Sequence, residues 1–298
     1  MSTADPTSAY RELGRLLLRI REDAGLTAAQ LAHGLEWAPT MISRMENGRR
    51  MTTTTDVVQY VVKCGLTLRE ARPLVELCRI AERKQGYYLS DKRIGGSLQS
   101  LIFLESSASH SIIYEPQVVN GLLQTPRYTE ALIAAIDDLD EDWVASVVRT
   151  RRERQRILYL RNPARFTFYL HEQALRMPVG SEVTMHEQLL HFVLTAALEN
   201  VTVRIVPIKA GARSVFGGAF RLMEFDEYRP VVYLDDLGGG GLILEDSDYV
   251  RHYYERMTML ADIALDEGQS RECVAELADA YDRGSQEVVA DVLAQEQL

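Results

Sequence analysis

A chain of 298 residues exceeds the usual single domain and is expected to hold two, and its 46% hydrophobic content excludes a disordered protein. No apolar run reaches the ~20 residues of a membrane span; the opening MSTADPTSAY lacks the basic-then-apolar order of a secretory signal; and Cys64, Cys78 and Cys273 have no metal-ligand spacing, so a reduced, cytoplasmic protein with buried thiols is expected. The net charge of −10 is uneven: residues 1–86 carry thirteen Lys/Arg against ten Asp/Glu and the rest twenty against thirty-three, a mildly basic head on an acidic body.

In chain order, Met1 to Ala9 reads as a frayed arm. Tyr10 to Ala24 is predicted to be an amphipathic helix with Leu13, Leu16, Leu17 and Ile20 at helical spacing. Arg15, Arg19 and Arg21 fall mainly on its polar side, where each is either a phosphate contact or part of a solvated face. Thr27 to Gly48 (TAAQLAHGLEWAPTMISRMENG) then reads as two short helices around a tight turn. Thr27 is a good N-cap, and Leu31, Ala32 and Leu35 share one face. Pro39 suits the first turn of the second helix, where its missing N–H costs nothing. That helix runs to about Glu46, turns Ile42 and Met45 inward, and ends at Asn47-Gly48, Gly48 supplying a left-handed residue.

Pro39, Thr40, Ser43 and Arg44 face outward on this helix. Small and hydrogen-bonding side chains between phosphate-ready ends are what a helix entering a DNA major groove needs. The candidate base-reading residues are therefore Pro39 (with Ala38, through apolar contacts), Thr40, Ser43 and Arg44, the last directed at guanine. The candidate phosphate contacts are Thr27 and Ala28 at the amide end of the first helix, with Asn47, Arg49 and Arg50 beyond the second. On Leu31-Ala32, the turn, Ile42-Ser43-Arg44 and Glu46-Asn47-Gly48, the stretch resembles the helix-turn-helix of phage-repressor-like regulators, the xenobiotic-response-element family. The resemblance implies a homodimer whose two heads engage half-sites of a double-stranded DNA operator about one helical turn apart.

Thr55 to Lys63 predicts a fourth helix and Thr67 to Lys84 a fifth. The apolar face of the fifth (Leu68, Ala71, Leu74, Val75, Leu77, Cys78, Ala81) suggests packing between head and body or a dimer contact. The head is thus an all-α, phage-repressor-like domain of five helices over residues 1–84. A linker follows at 85–97, then a body over 98–298. In the body, helices are predicted over Leu98 to Ala108, Tyr128 to about Ile136, Glu141 to Leu160, Thr184 to Glu199 and Asp246 to Asp266, with a helical or frayed segment from Leu277 onward. Strands are predicted over Ser111 to Tyr114, Phe166 to Leu170, Val201 to Val206, Phe220 to Phe225 and Val231 to Leu234. This order suggests an α+β domain with a mostly antiparallel sheet.

The body carries a second pattern: Glu115 with Gly121-Leu122-Leu123-Gln124-Thr125 and Tyr128, Arg152 to Gln155, Glu172 with Leu175 and Val179-Gly180, Gln188-Leu189, Val203 to Pro207, and Gly218 with Phe220 and Phe225. In this order they resemble the large domain of unknown function fused to such a helix-turn-helix in actinobacterial regulators, including the WhiJ-like group. The resemblance implies an antitoxin-like transcriptional regulator of development or antibiotic production, partnered by a small protein encoded by an adjacent gene. Asn120 stands where that family tends to have proline, and Asp235 where it tends to have glutamate.

Other candidates for chemistry are weaker. Gly238 to Gly241 has no Lys-Ser/Thr after it, as a phosphate-binding loop requires, and reads as a hairpin turn. His186 and His191 are spaced i, i+5, which turns the second off a shared metal-facing side. No Gly-x-Ser-x-Gly elbow supports a hydrolase. Arg149 to Arg156 is expected to pair with acids on its own helix, an acidic partner or DNA being the alternative. Leu122, Leu123, Gln124 and Thr125 either cap a groove for a partner or ligand or form a structural loop. The expectation is a cytoplasmic, nucleoid-associated regulator without catalysis, cofactor or metal. The alternatives are a small-molecule-sensing repressor and, further off, an enzyme body fused to a DNA-binding head.

Overall fold

The computed structural model describes residues 7–82, 87–89, 96–135, 141–214, 217–236 and 240–295. The first helices are α1 (Ser8–Asp23), α2 (Ala28–Leu35), α3 (Pro39–Glu46), α4 (Thr54–Lys63) and α5 (Leu68–Ala81). Then come β1 (Tyr87–Leu89), α6 (Gly96–Ser107), β2 (His110–Glu115), α7 (Pro126–Ala134), α8 (Glu141–Gln155) and β3 (Arg165–His171). The remainder is α9 (Glu172–Arg176), α10 (Glu182–Thr195), β4 (Val201–Val206), β5 (Phe220–Glu224), β6 (Val231–Asp236), β7 (Gly240–Leu244), α11 (Ser247–Ile263) and α12 (Glu267–Gln295). Most of the linker expected at 85–97, residues 1–6 of the arm, and residues 238 and 239 of the glycine run lie outside the described residues.

The chain forms two compact units, Met1–Ala108 with Leu222–Tyr253, and Ser109–Arg221 with Tyr254–Leu298. The expected head-and-body boundary is therefore crossed by the chain itself: residues 222–253 pack with the N-terminal helices. Leu13, Leu17, Leu31, Ile42, Met45, Val57, Tyr60 and Leu77 share one core with Met223, Phe225, Val231, Tyr233 and Ile243. The predicted helices form because threonines start them. Thr27, Thr53 and Thr67 each close a capping box with the side chain three residues on. The first helix departs from expectation and begins at Ser8, with Ser8 and Ala9 buried. Its cap comes from far along the chain: the Glu245 carboxylate accepts from the Ser8 backbone N–H at 2.8 and 3.0 Å, and from its hydroxyl.

In this unit the strand order is β1-β7-β6-β5, with β1/β7 and β6/β7 antiparallel. The first two residues of β7, Gly240 and Gly241, fall in the run read as a hairpin turn. Gly241 instead sits in the strand, where an added Cβ would run into the Tyr233 ring, so the missing side chain makes room for a buried tyrosine. Cys64 and Cys78 are free and buried, and burial pushes their thiols up to about 11 and about 12, which keeps them protonated and unreactive.

Glu12 is the most perturbed carboxyl of this core. It is buried, accepts from the Ser100 hydroxyl at 2.8 and 2.9 Å, and burial pushes it up to about 7. A carboxyl that binds its proton more tightly when folded weakens the fold as pH rises from its ordinary value to its folded one. Stability is thus expected to fall between pH 4.5 and about 7 and to be lowest above that window. Glu12→Gln should stabilise the protein at pH 8 by up to about 3 kcal/mol and flatten this slope. Urea titrations at several pH values check it, and an unchanged slope in the variant would assign the pH dependence to another group.

The second unit holds β2-β3-β4, all parallel, with Ile113 beside Phe168 and Phe168 beside Val203. Antiparallel pairing thus holds for β1, β7 and β6, while these three make the strand set mixed. The reason is the connections: α7 and α8 separate β2 from β3, and α9 and α10 separate β3 from β4, so each crossover returns the chain to the same end. Phe168, Leu170, Val203 and Ile205 form the core with Leu175, Leu189 and Phe192.

Candidate nucleic-acid interface

Recognition by a short helix requires that its inner face be held rigidly, and α3 is held by α1. A Cβ on Gly14 would lie 2.5 Å from the Met45 carbonyl oxygen and 2.6 Å from that of Glu46, so this glycine permits the close crossing. Ile42 and Met45 are buried as expected. Beside them is a buried polar cluster that periodicity does not reveal. Arg21 Nε and Nη2 donate to the Glu46 carboxylate at 2.6 and 3.0 Å, Arg21 Nη1 donates to the Leu26 carbonyl at 2.7 Å, and the Tyr60 hydroxyl donates to Glu46 at 2.5 Å. Burial first, and then this carboxylate, raise the Tyr60 phenol well above its usual range. Arg21, read from spacing as a polar-side residue with Arg15 and Arg19, is therefore structural, while Arg15 and Arg19 are exposed.

The end of α3 is a complete Schellman stop. Gly48 has φ +60°, its N–H donates to the Met45 carbonyl at 3.0 Å, and the Arg49 N–H donates to that of Arg44 at 2.8 Å. Outward from this frame, Pro39, Thr40, Ser43 and Arg44 are all exposed, as is Ala38 before them. They occupy one open face, and among the described residues no side chain is paired with Arg44.

The phosphate candidates fare differently. The Thr27 hydroxyl accepts from the Gln30 N–H at 3.2 Å, and its own N–H donates to Gln30 Oε1 at 2.8 Å, so Thr27 is occupied by capping. The amide of Ala28, in the first turn of α2, is among those a helix leaves without an intrahelical acceptor. Asn47 is exposed, its amide donating to the Ser43 carbonyl at 2.8 Å. Arg50 lies 4.0 Å from Asp56. Arg49 Nη2 lies 2.7 Å from Glu227, and that hydrogen bond raises its guanidinium further. No short-range signal marks Glu227, which is 178 residues away.

In the second unit, Leu122, Leu123 and Gln124 are buried, and the loop that holds them is tied down from all sides. Asn120 donates to Glu115 at 2.6 Å and accepts from the Leu122 N–H at 2.9 Å. Gln188 bridges the Thr125 N–H and the Leu123 carbonyl, each at 2.7 Å, and Gln155 donates to the carbonyls of Gly121 and Gln124 at 2.9 and 2.8 Å. Thr125 caps α7. Asn120 thus restrains by hydrogen bonds what a proline ring would restrain covalently, and the two leucines are buried in the core. Arg149, Arg152, Arg156 and Tyr159 line an open groove along α8, and Glu153 pairs with Arg156 at 2.9 Å. His186 is within 2.9 Å of the Ala278 carbonyl.

A model of a helix-turn-helix domain matches residues 12–74, and one described as a domain of unknown function, DUF5753, matches residues 98–276. No curated protein and no solved structure matches the chain.

Proposed function

The chain belongs to the DUF5753 family and carries a DNA-binding helix-turn-helix, and from that premise we propose that it is a sequence-specific, antitoxin-like transcriptional regulator. The observation that carries the reading is the open face of α3. Thr40, Ser43 and Arg44 project from a helix whose buried side and C-terminal end are both fixed. In this reading a homodimer sets two such helices on half-sites of one operator. The protein works in the cytoplasm, on the nucleoid, by binding and not by catalysis. The C-terminal domain binds a small protein encoded by an adjacent gene, and that binding switches operator occupancy. An exposed apolar stripe on α10, Val183, Leu190 and Leu194, supports a protein partner, as does the arginine-lined groove of α8. No helix among the described residues is long and apolar enough to cross a membrane.

The test is selection of bound DNA from random genomic fragments by the purified protein, with and without the adjacent small protein. A recovered palindrome whose occupancy changes with that partner is the expected result. A palindrome indifferent to it would transfer the sensing role to a small molecule, and absence of any enrichment would sink the reading.

A further inference from the structure

The loop between β5 and β6 is acidic at its tip, and it lies against the end of α3. Its sequence is Phe225-Asp226-Glu227-Tyr228-Arg229. Three contacts seat it there. The Arg11 guanidinium lies over the rings of both Phe225 and Tyr228, its carbon 4.3 and 4.4 Å from their centroids. The Tyr228 hydroxyl reaches the Asn47 carbonyl at 3.5 Å. Glu227 takes Arg49 at 2.7 Å. Phe225 is also part of the core under α1 and α3, so the loop is rooted in the same unit as the helix it touches.

We propose that this loop is an internal competitor for the DNA backbone, in which the Glu227 carboxylate occupies the place on Arg49 that a phosphate takes in the complex. The inference rests on the reading of Arg49 as a phosphate contact. A carboxylate and a phosphate oxygen offer a guanidinium the same kind of charge-assisted acceptor, so the two exclude one another. Both side chains of the pair are more than half exposed, at 61% and 65%, which makes the pair weak and easily exchanged. The anchor beside the recognition helix is therefore masked in the free protein and is released when DNA displaces Glu227. Such masking lowers affinity by the same factor on any DNA that engages Arg49, so mixed-sequence DNA reports it as well as a cognate site does.

The experiment measures binding of the full-length protein to a fluorescently labelled mixed-sequence duplex over a range of salt. Glu227→Gln is expected to tighten binding about two- to fivefold at low salt. It should also steepen the salt dependence by up to about one unit, because the wild-type carboxylate takes up a cation as Arg49 leaves it. Arg49→Ala is expected to weaken binding and to flatten the slope most where Glu227 is already Gln, and in the Arg49→Ala background Glu227→Gln should have no effect. Asp226→Asn removes the same charge without touching the ion pair and should change affinity less. Tightening by Glu227→Gln that persists without Arg49 would reduce the effect to general charge repulsion and overturn the proposal. Weaker binding in Glu227→Gln would overturn it too, making the loop a support for α3. If Arg49→Ala leaves affinity and slope unchanged in both backgrounds, it is the phosphate reading of Arg49 that fails.

Discussion

Glu46→Ala is expected to cost the N-terminal unit about 3–5 kcal/mol, because it strands a guanidinium inside the protein. Arg21 and Glu46 are 11% and 8% exposed at their side chains, and the carboxylate also accepts from Tyr60. Removing the acid leaves Arg21, among the described residues, with the Leu26 carbonyl alone, and it leaves the Tyr60 hydroxyl to the Leu17 carbonyl at 3.2 Å. The pair itself need not be a large net source of stability, since desolvating two charges offsets much of their attraction. Replacing both residues by apolar ones of similar size should therefore recover much of the loss. Glu46 also lies in the last turn of α3, so DNA binding is expected to fall on every sequence alike. Urea unfolding followed by Trp37 fluorescence in a Trp143→Phe background reads this unit alone. A cost below about 1 kcal/mol would mean the cluster is solvated in solution and does not hold the helix.

Much of the head was legible because its information is local. A threonine followed three residues later by Gln, Asp or Glu, then apolar residues at helical spacing, specifies a start and a buried face together. What was not legible depends on residues far apart in the chain. Periodicity groups Arg21 with Arg15 and Arg19 and cannot say that an acid 25 residues on will bury it. The seating of Tyr228 on Asn47 spans 181 residues, and the capping of Ser8 by Glu245 spans 237. The Gly-Leu-Leu-Gln-Thr loop reads equally well as a groove or as core lining, until Gln155 and Gln188 arrive from other helices to satisfy its backbone. Parallel pairing of β2, β3 and β4 was missed for a related reason. The relative direction of the strands is decided by how crossover helices return the chain, and the strands themselves carry only their burial pattern.

Arg44→Ala is expected to weaken binding to the selected operator by about 1–3 kcal/mol and to relax preference at one base pair, with little change in folding. The stop of α3 uses the backbone carbonyl of Arg44, which accepts from the Arg49 N–H whatever the side chain is, and alanine is a good helix former. The loss is therefore one of recognition. A guanidinium reaches guanine O6 and N7 through two parallel hydrogen bonds, and no other base offers that pair of acceptors in the major groove. Arg44→Lys keeps the charge and loses the fork, so it should retain binding to mixed-sequence DNA while losing most of the discrimination. Comparing each variant on the selected site and on all single-base changes at one salt concentration separates the roles. Loss confined to one position identifies Arg44 as a base-reading residue. Equal loss at every position, with a flatter salt dependence, would place it on the phosphate backbone and leave Thr40 and Ser43 as the residues that read sequence.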